Sequence, residues 1–479
     1  MLSRRGATTG WRAALVCMHA RYLSSQDTIY ALSSAEGRSG VAVVRISGPM
    51  ADQCLLQMTS KQLPPPRTAT RRDITHPSTK ELLDTAIAIR FPGPKSFTGE
   101  DSVELYLHGS RPVISGVLQA LGTLPTYRAA EAGEFTERAF ENQKMDLMQV
   151  EGLADLLHAE TEAQRSQALA QMSGTIGQVY DAWRHTIMRC LAHSEALIDF
   201  GEDEDDVTDE AYEAVIQTVR DLKTSIERHL QDGRRGEILR HGVHVAILGS
   251  PNAGKSTLLN LLAQRDAAIV SPIAGTTRDV VQVPLNLAGY PVVLHDTAGI
   301  RDTTDVIERE GVHRALRCND ESQLKLVVVD VQDGAVDPAL ISLIDPSTIV
   351  VLNKIDATPP STALLDAVAH APVVCAVSCA TGDGVDEFLM TLQQRVRGVF
   401  GTDRNDNNAS SNVIITRERH RQHLQASVAH LGAFLAHPYQ AELAAEDLRH
   451  AVTCMGRIVG RVDVEDILDV LFADFCIGK

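Results

Sequence analysis

The chain has 479 residues, 44% of them hydrophobic, and a formal charge of −17. It is too long for one ordinary domain and too apolar for a disordered chain. The acidic balance argues against unaided tight binding to a phosphate backbone, so contact with nucleic acid calls for a local basic patch or a basic partner. Eight cysteines, with no CxxC pair and no zinc spacing, argue against a disulfide framework and for a reducing compartment.

The opening stretch, "MLSRRGATTGWRAALVCMHARYLSS", carries Arg4, Arg5, Arg12 and Arg21, and no acid appears before Asp27. An Arg-rich, Ser-containing, acid-free leader has the composition of a mitochondrial transit peptide, so 1–25 is expected to be a leader and the rest a matrix protein. No apolar run reaches the roughly 18 residues that a membrane span needs, and no membrane association is expected. Within 26–141, "GVAVVRISGP" (40–49) and "DTAIAIRFPG" (84–93) read as strands with turn residues behind them. In "DSVELYLHGS" (101–110), Val103, Leu105 and Leu107 alternate with Ser102, Glu104 and Tyr106, as in a half-buried strand. This region is expected to be a small α/β domain.

The period changes at about 142. Leu147, Val150, Ala154 and Leu157 fall at helical spacing, which opens a helical part over 142–239. The acidic "DFGEDEDDVTDE" (199–210) reads as a solvated loop leading into a second helical run at about 208–231, not as a metal cluster. From 243 the pattern is strand-like again: "VHVAILG", "VVLHD" (292–296), "LKLVVVD" (324–330), "STIVVLN" (347–353) and "VVCAVS" (373–378), with helical stretches between most of them. That alternation predicts a doubly wound, mostly parallel sheet over 240–398. "GTDRNDNNASSN" (401–412) has no large apolar residue and reads as a linker. Helical periodicity then returns, so 399–479 forms the second half of a helical domain into which the α/β unit is inserted.

"GSPNAGKST" (249–257) follows a strand and opens a helix, in the pattern of a phosphate-binding loop. Asn252, Ala253, Gly254, Lys255, Ser256 and Thr257 are therefore expected around the phosphates, with Lys255 on the β and γ oxygens and the Ser256 hydroxyl on magnesium. "GTTRD" (275–279) offers Thr276 and Thr277, the latter as a second magnesium ligand, and "DTAG" (296–299) offers Asp296 and the Gly299 amide. "NKID" (353–356) supplies Asn353, Lys354 and Asp356; the Asp356 carboxylate can accept from guanine N1–H and the exocyclic amine, a donor pair that adenine lacks. Ser378, Cys379 and Ala380 of "SCATGDG" stand where a loop backs the base oxygen. Together these elements specify a Ras-like P-loop GTPase. Ile300 follows the glycine of the Asp296 motif, and it cannot orient water as the glutamine of many small GTPases does. Asn252 offers a side-chain oxygen near the β–γ bridge, where a monovalent cation could do the charge work of an arginine finger; the alternative is a turn hydrogen bond.

The phosphate loop "PNAGKS", the switch "IAGTTRD", "DTAGIR" and the terminal "FCIGK" resemble those of the MnmE/TrmE tRNA-modification GTPases of bacteria and mitochondria. "GVAVVRISGP", "FPGPKSFTGED" and "GEFTERAFENQKMDL" agree, so the resemblance runs from about 27 to the end. It implies a dimerising N-terminal domain that binds 5-formyltetrahydrofolate or a related folate, a helical domain, and the inserted GTPase. Arg45, Glu104, Lys144 and Lys479 match the family's folate-contacting positions. Asn252, Ser271, Ile273 and Thr276 match its potassium ligands, and Glu308 of "VIEREG" matches the glutamate that positions water. The resemblance also implies a flavin-dependent (FAD) partner protein and a tRNA substrate modified at carbon 5 of the wobble uridine, with an aminomethyl-type or, in mitochondria, taurinomethyl-type group. The tail is expected to fold back to the folate pocket, giving Lys479 a cofactor role and bringing Cys476 near the chemistry, either as nucleophile or as structural packing. Ala130-Glu131-Ala132 stands where the family shows an Arg-Pro pair. The competing class is a GTP-switched mitochondrial ribosome-assembly factor. Such a protein should carry a basic RNA-binding module after the GTPase, where this chain has "AAEDL" and "VDVEDILD".

Overall fold

A computed structural model describes residues 27–59, 62–200, 209–265, 281–296, 322–400, 415–462, 465–473, 475 and 477–478. The leader, residues 201–208 of the acidic stretch and the linker fall outside them. The chain forms two compact units: 1–154 with 459–479, and 155–458.

The first unit is built on a six-stranded sheet in the order β3-β4-β5-β2-β1-β6. Its strands are β1 (Thr28–Leu32), β2 (Ser39–Ser47), β3 (Thr70–Thr75), β4 (Leu82–Phe91), β5 (Ser102–Gly109) and β6 (Tyr127–Ala129). All neighbours are antiparallel except β1 and β6. Alternation assigns the two faces. Val44, Ile46, Ala86, Ala88, Val103, Leu105 and Leu107 pack against helices Ala51–Thr59 and Arg111–Gly122. The opposite face carries Arg45 and Glu104, directly paired in register, with Ile87 and Tyr106 beside them. Helix Glu134–Glu141 places the buried Phe135 against Ile29 and Ala31. Helix Leu147–Leu157 buries Leu147, Val150 and Ala154 with Leu471, Phe472 and Phe475 of the carboxyl-terminal segment, whose helix is Glu465–Ala473. Leu157, expected on the same stripe, is 43% exposed at the helix end.

The second unit combines helices with a second six-stranded sheet, ordered β12-β11-β10-β7-β9-β8. Its strands are β7 (Val243–Gly249), β8 (Val281–Leu287), β9 (Tyr290–Asp296), β10 (Leu324–Asp330), β11 (Thr348–Asn353) and β12 (Val374–Val377). Every pairing is parallel except β8 with β9. All seven residues of β10 are buried, as a strand covered on both faces requires. One face packs on Leu258 and Leu262 of helix Lys255–Arg265 and on Phe388 and Leu392 of helix Val385–Val399. The other face packs on Leu364 and Val368.

Helix Asp209–Leu230 packs on Thr175–Phe200 and on Glu418–Ala436, so helices before and after the sheet meet. The buried Arg421 guanidinium bonds Asp232 at 2.7 Å, Glu237 at 2.8 Å and the Leu230 carbonyl at 3.1 Å. Arg240 and Arg417 share Asp155 at 2.9 and 3.0 Å. These pairs tie the chain entering the sheet to the chain leaving it.

Four strands are not apparent from periodicity: β1, β3, β6 and β8. β3, "TRRDIT", is an edge strand that buries only Ile74, so it has no apolar alternation. β8 is also an edge and contains Pro284, which only an edge tolerates.

Candidate functional site

The phosphate loop joins β7, ending at Gly249, to the helix that starts at Lys255. Gly254 has φ +95°, and a Cβ there would lie 2.2 Å from Asn353 Nδ2, so no larger residue fits. Asn252, at φ +63°, takes the left-handed conformation that asparagine tolerates best among side-chain-bearing residues. A backbone curled this way forms an anion-binding nest at a helix N-terminus. Lys255 is buried, and its Nζ donates to the Gly249 and Ser250 carbonyls at 2.7 and 2.8 Å, which holds the ammonium over the loop. Ala253 is buried beneath, while Asn252, Ser256 and Thr257 are exposed.

The base side is assembled from the ends of β11 and β12. Asn353 is buried; its Nδ2 donates to Ala253 O at 2.8 Å and its Oδ1 accepts from the Cys379 amide at 3.1 Å. One side chain thus fastens the phosphate loop to the 378–380 loop. The Ser378 hydroxyl donates to Asp356 Oδ1 at 2.6 Å and accepts from the Thr381 amide at 3.1 Å. The Asp356 carboxylate is exposed, so its remaining lone pairs face outward. Lys354, at φ +67°, pairs with Asp330. Burial alone would raise the Asp330 carboxyl, but the Lys354 ammonium and the Gln332 amide outweigh it and hold it below the usual carboxylate range. Burial, with Asp356 nearby, pushes the Cys379 thiol up to about 11, which keeps it protonated at neutral pH. Ala380 follows in the same loop.

Asp296 ends β9, paired in register with Ile247 of β7 two residues before Gly249, so the end of β9 lies beside the strand end that leads into the phosphate loop. The other end of β9 is held from outside the sheet. Tyr290 stacks on Phe400 at 4.8 Å, and the Gly289 carbonyl accepts from Ala163 N–H at 3.1 Å. Ala163 lies in helix Glu162–Met172, whose start is fixed by a Thr161–Gln164 capping box. Ser271, Ile273, Thr276, Thr277, Gly299 and Glu308, and the Asp296 side chain, lie outside the described residues.

The first unit holds the other predicted residues. Arg45 Nε bonds Glu104 Oε1 at 3.1 Å, and its guanidinium lies 5.1 Å from the Phe97 ring centre and 5.7 Å from that of Phe135. Glu104 Oε2 accepts from the Tyr106 hydroxyl at 2.8 Å, so both oxygens are engaged and each keeps a lone pair. Lys144 is exposed and donates to Pro94 O at 2.9 Å, on the loop that carries Phe97. The tail returns to this region. Ile477 bridges Ala132, and Gly478 O accepts from the Ser33 hydroxyl at 2.9 Å. Gly478 has φ +95°, and a Cβ there would stand 2.3 Å from Leu32 O. Cys476 and Lys479 lie outside the described residues. Phe97, Phe135 and Ser33 carry no individual signal as site residues in the sequence, and Tyr106 shows there only as an outward position in the alternation of β5.

The nest, the buried lysine and the outward carboxylate at the carboxyl ends of parallel strands define a P-loop GTPase. The family model of the GTP-binding protein TrmE N-terminus matches residues 28–144, and that of the MnmE helical domain matches 147–476. The chain is 50% identical over 475 residues to the mitochondrial 5-taurinomethyluridine tRNA synthase subunit GTPB3 of Danio rerio, covering 95% of this chain and 93% of that one. It is 50% identical over 457 residues to the tRNA modification GTPase MnmE of Parvibaculum lavamentivorans, covering 95% and 100%. The Homo sapiens GTPB3 subunit is 45% identical over 470 residues, covering 95% and 94%. The chain belongs to the MnmE/TrmE family.

Proposed function

We propose that this chain is a potassium-dependent GTP hydrolase that, with a flavin-dependent partner, modifies carbon 5 of the wobble uridine of mitochondrial tRNAs with a folate one-carbon unit. The observation that carries the reading is that the likeness to tRNA modification GTPases spans both units, not the nucleotide pocket alone. A mitochondrial location follows the GTPB3 relatives, and the leader composition agrees with it.

Residues of this chain would hold each group the reading requires. Magnesium would be held by Ser256 and Thr277, and it supplies neutralisation of charge developing on the phosphate oxygens. Potassium would take the Asn252 side-chain oxygen, with Ser271, Ile273 and Thr276; amide, hydroxyl and carbonyl oxygens suit a hard monovalent ion. Asn252 is exposed beside the nest, so its oxygen is open to a ligand. Lys255 neutralises the β and γ oxygens from its seat on the loop carbonyls. Glu308 orients the attacking water in place of Ile300. Asp356, held by Ser378, selects guanine. In the first unit, the Arg45–Glu104 pair offers a folate ring a carboxylate acceptor beside a cation and two aromatic rings, with Lys144 and Lys479 for its carboxylates and the first unit as the homodimer surface. The residues from 26 to 141 serve the folate, those from 240 to 398 the nucleotide, and the flanking helical parts connect them. Cys476 would serve either as a nucleophile in this chemistry or as structural packing.

The test is to delete the gene and measure wobble uridines of mitochondrial tRNAs by mass spectrometry. Loss of the carbon-5 group is expected. Unchanged nucleosides together with defective ribosomal subunits would overturn the reading in favour of an assembly factor.

A further inference from the structure

An acidic protein that handles tRNA needs somewhere to meet phosphate. Lysine and arginine side chains of the first unit are divided between two situations. Arg45, Arg90, Arg128 and Arg138 each bond a carboxylate. Others, among them Arg38, Lys80, Arg111, Lys144 and the four residues Arg67, Arg71, Arg72 and Lys95, have no carboxylate partner among the described residues; the last four form a group. These four cluster along one margin of the sheet. Arg71 and Arg72 lie on β3, the edge strand, on opposite faces. Arg67 N–H bonds Arg90 O at 2.8 Å and its guanidinium bonds the Lys95 carbonyl, which brings the 93–98 loop alongside. No acid occurs from Gln53 to Arg72 in a chain of charge −17. The nearest acid on the strand, Asp73, bonds the Thr85 hydroxyl at 2.9 Å.

Two details go beyond charge. Arg67 sits at φ +56°, a left-handed conformation that costs an arginine free energy and is retained here by two hydrogen bonds. Arg72 donates to Gln62 O at 3.2 Å through one terminal nitrogen; its Nε is buried without a hydrogen-bond partner, so any phosphate contact falls to its terminal nitrogens. Arg67, Arg71 and Lys95 are exposed, so positive charge is presented to solvent and not consumed internally. An unpaired edge strand lined by arginines deters pairing with another strand and suits a polyanion.

We propose that the rim formed by Arg67, Arg71, Arg72 and Lys95 docks the phosphate backbone of the tRNA substrate. The proposal rests on the tRNA reading above and names where that substrate touches the chain. Such contacts position the RNA and are largely indifferent to its sequence.

The test is tRNA binding by the purified full-length chain, followed by fluorescence anisotropy across a salt series. For Arg67→Glu/Arg71→Glu/Arg72→Glu/Lys95→Glu, affinity is expected to fall at least about tenfold, and the slope of log affinity against log salt to lose about three units for four phosphates. GTP turnover should stay at the wild-type value, and a thermal unfolding profile matching the wild type reports that the first unit is folded. The milder Arg71→Gln/Arg72→Gln should lose about half of that slope change, and Arg71→Lys/Arg72→Lys should retain it. Arg220→Glu/Arg228→Glu, on exposed positions of helix Asp209–Leu230, should leave binding unchanged. Wild-type affinity and slope in the quadruple variant would overturn the rim while leaving the tRNA reading standing. Retention of the carbon-5 group on wobble uridines in the deletion strain would instead remove the reading on which the rim depends.

Discussion

The nucleotide pocket and the Arg45–Glu104 shelf are assembled by opposite means. In the pocket, backbone conformation carries the chemistry: Gly254 and Asn252 set the loop, and Asn353 fastens two loops through one amide group. On the shelf, side chains from a sheet face, a proline-containing loop and a helix start are brought together, with the backbone of the returning tail docked on the same unit, and no single segment contains the site. The first kind of site depends on local spacing. The second depends on tertiary contacts, so it should be sensitive to changes far away in sequence and insensitive to the nucleotide.

Glu308→Ala probes the sharpest feature of the pocket reading. GTP binding should be retained while turnover falls by about 10²–10³, the scale expected when one group acting on the transition state is removed; single-turnover hydrolysis would measure it, and preserved turnover removes the residue from the reaction. Asn353→Ala leaves the buried Ala253 carbonyl and the Cys379 amide unpaired, at about 1–3 kcal/mol for each group that stays unsatisfied. Thermal denaturation with and without GTP should show both a lower midpoint and weaker nucleotide stabilisation, with the shelf unaffected. Gly478→Ala works in the other direction. The added Cβ collides with Leu32 O, so the tail should lift, folate affinity measured by calorimetry should drop several-fold, and GTP turnover should not change. Asn252→Ala should remove the advantage of potassium over sodium in GTP turnover, and equal wild-type rates in both salts would count against a cation site.

The smallest expected effect concerns acid stability. Burial would raise the Asp345 carboxyl, but Lys325, 2.6 Å away, and the Ser347 hydroxyl and amide outweigh it and hold it at about 2. A carboxyl depressed in the folded state contributes stability above its ordinary value near 4 that is lost as pH falls toward 2. Asp345→Asn should therefore flatten unfolding between pH 4 and pH 2 and change little at pH 7. Because the carboxylate is substantially exposed, the effect is screened and modest.

The two regions were unequally legible for the same physical reason. "GSPNAGKST" and "NKID" announce themselves because nest and carboxylate are local, and β7, β10 and β11 lie within the aliphatic runs that mark them. Asn353 as a fastener was not visible, since its partners are 100 and 26 residues away. On the shelf, Arg45 and Glu104 came only through family likeness. The alternation on β2 and β5 assigns both to the outer face but does not pair them in register. Phe97 and Phe135 gave no signal, because an aromatic residue in a short polar stretch reads the same in a core as under a guanidinium. β3 was lost to periodicity because its outward face is charged, the property that makes it a candidate for RNA.

The most direct test of the account is complementation of the deletion strain with wild-type chain or with Lys255→Ala, followed by mass spectrometry of mitochondrial tRNA wobble uridines. The wild-type chain should restore the carbon-5 group and Lys255→Ala should not. Equal restoration by both would show that the nucleotide chemistry assembled around Lys255 does not serve the modification.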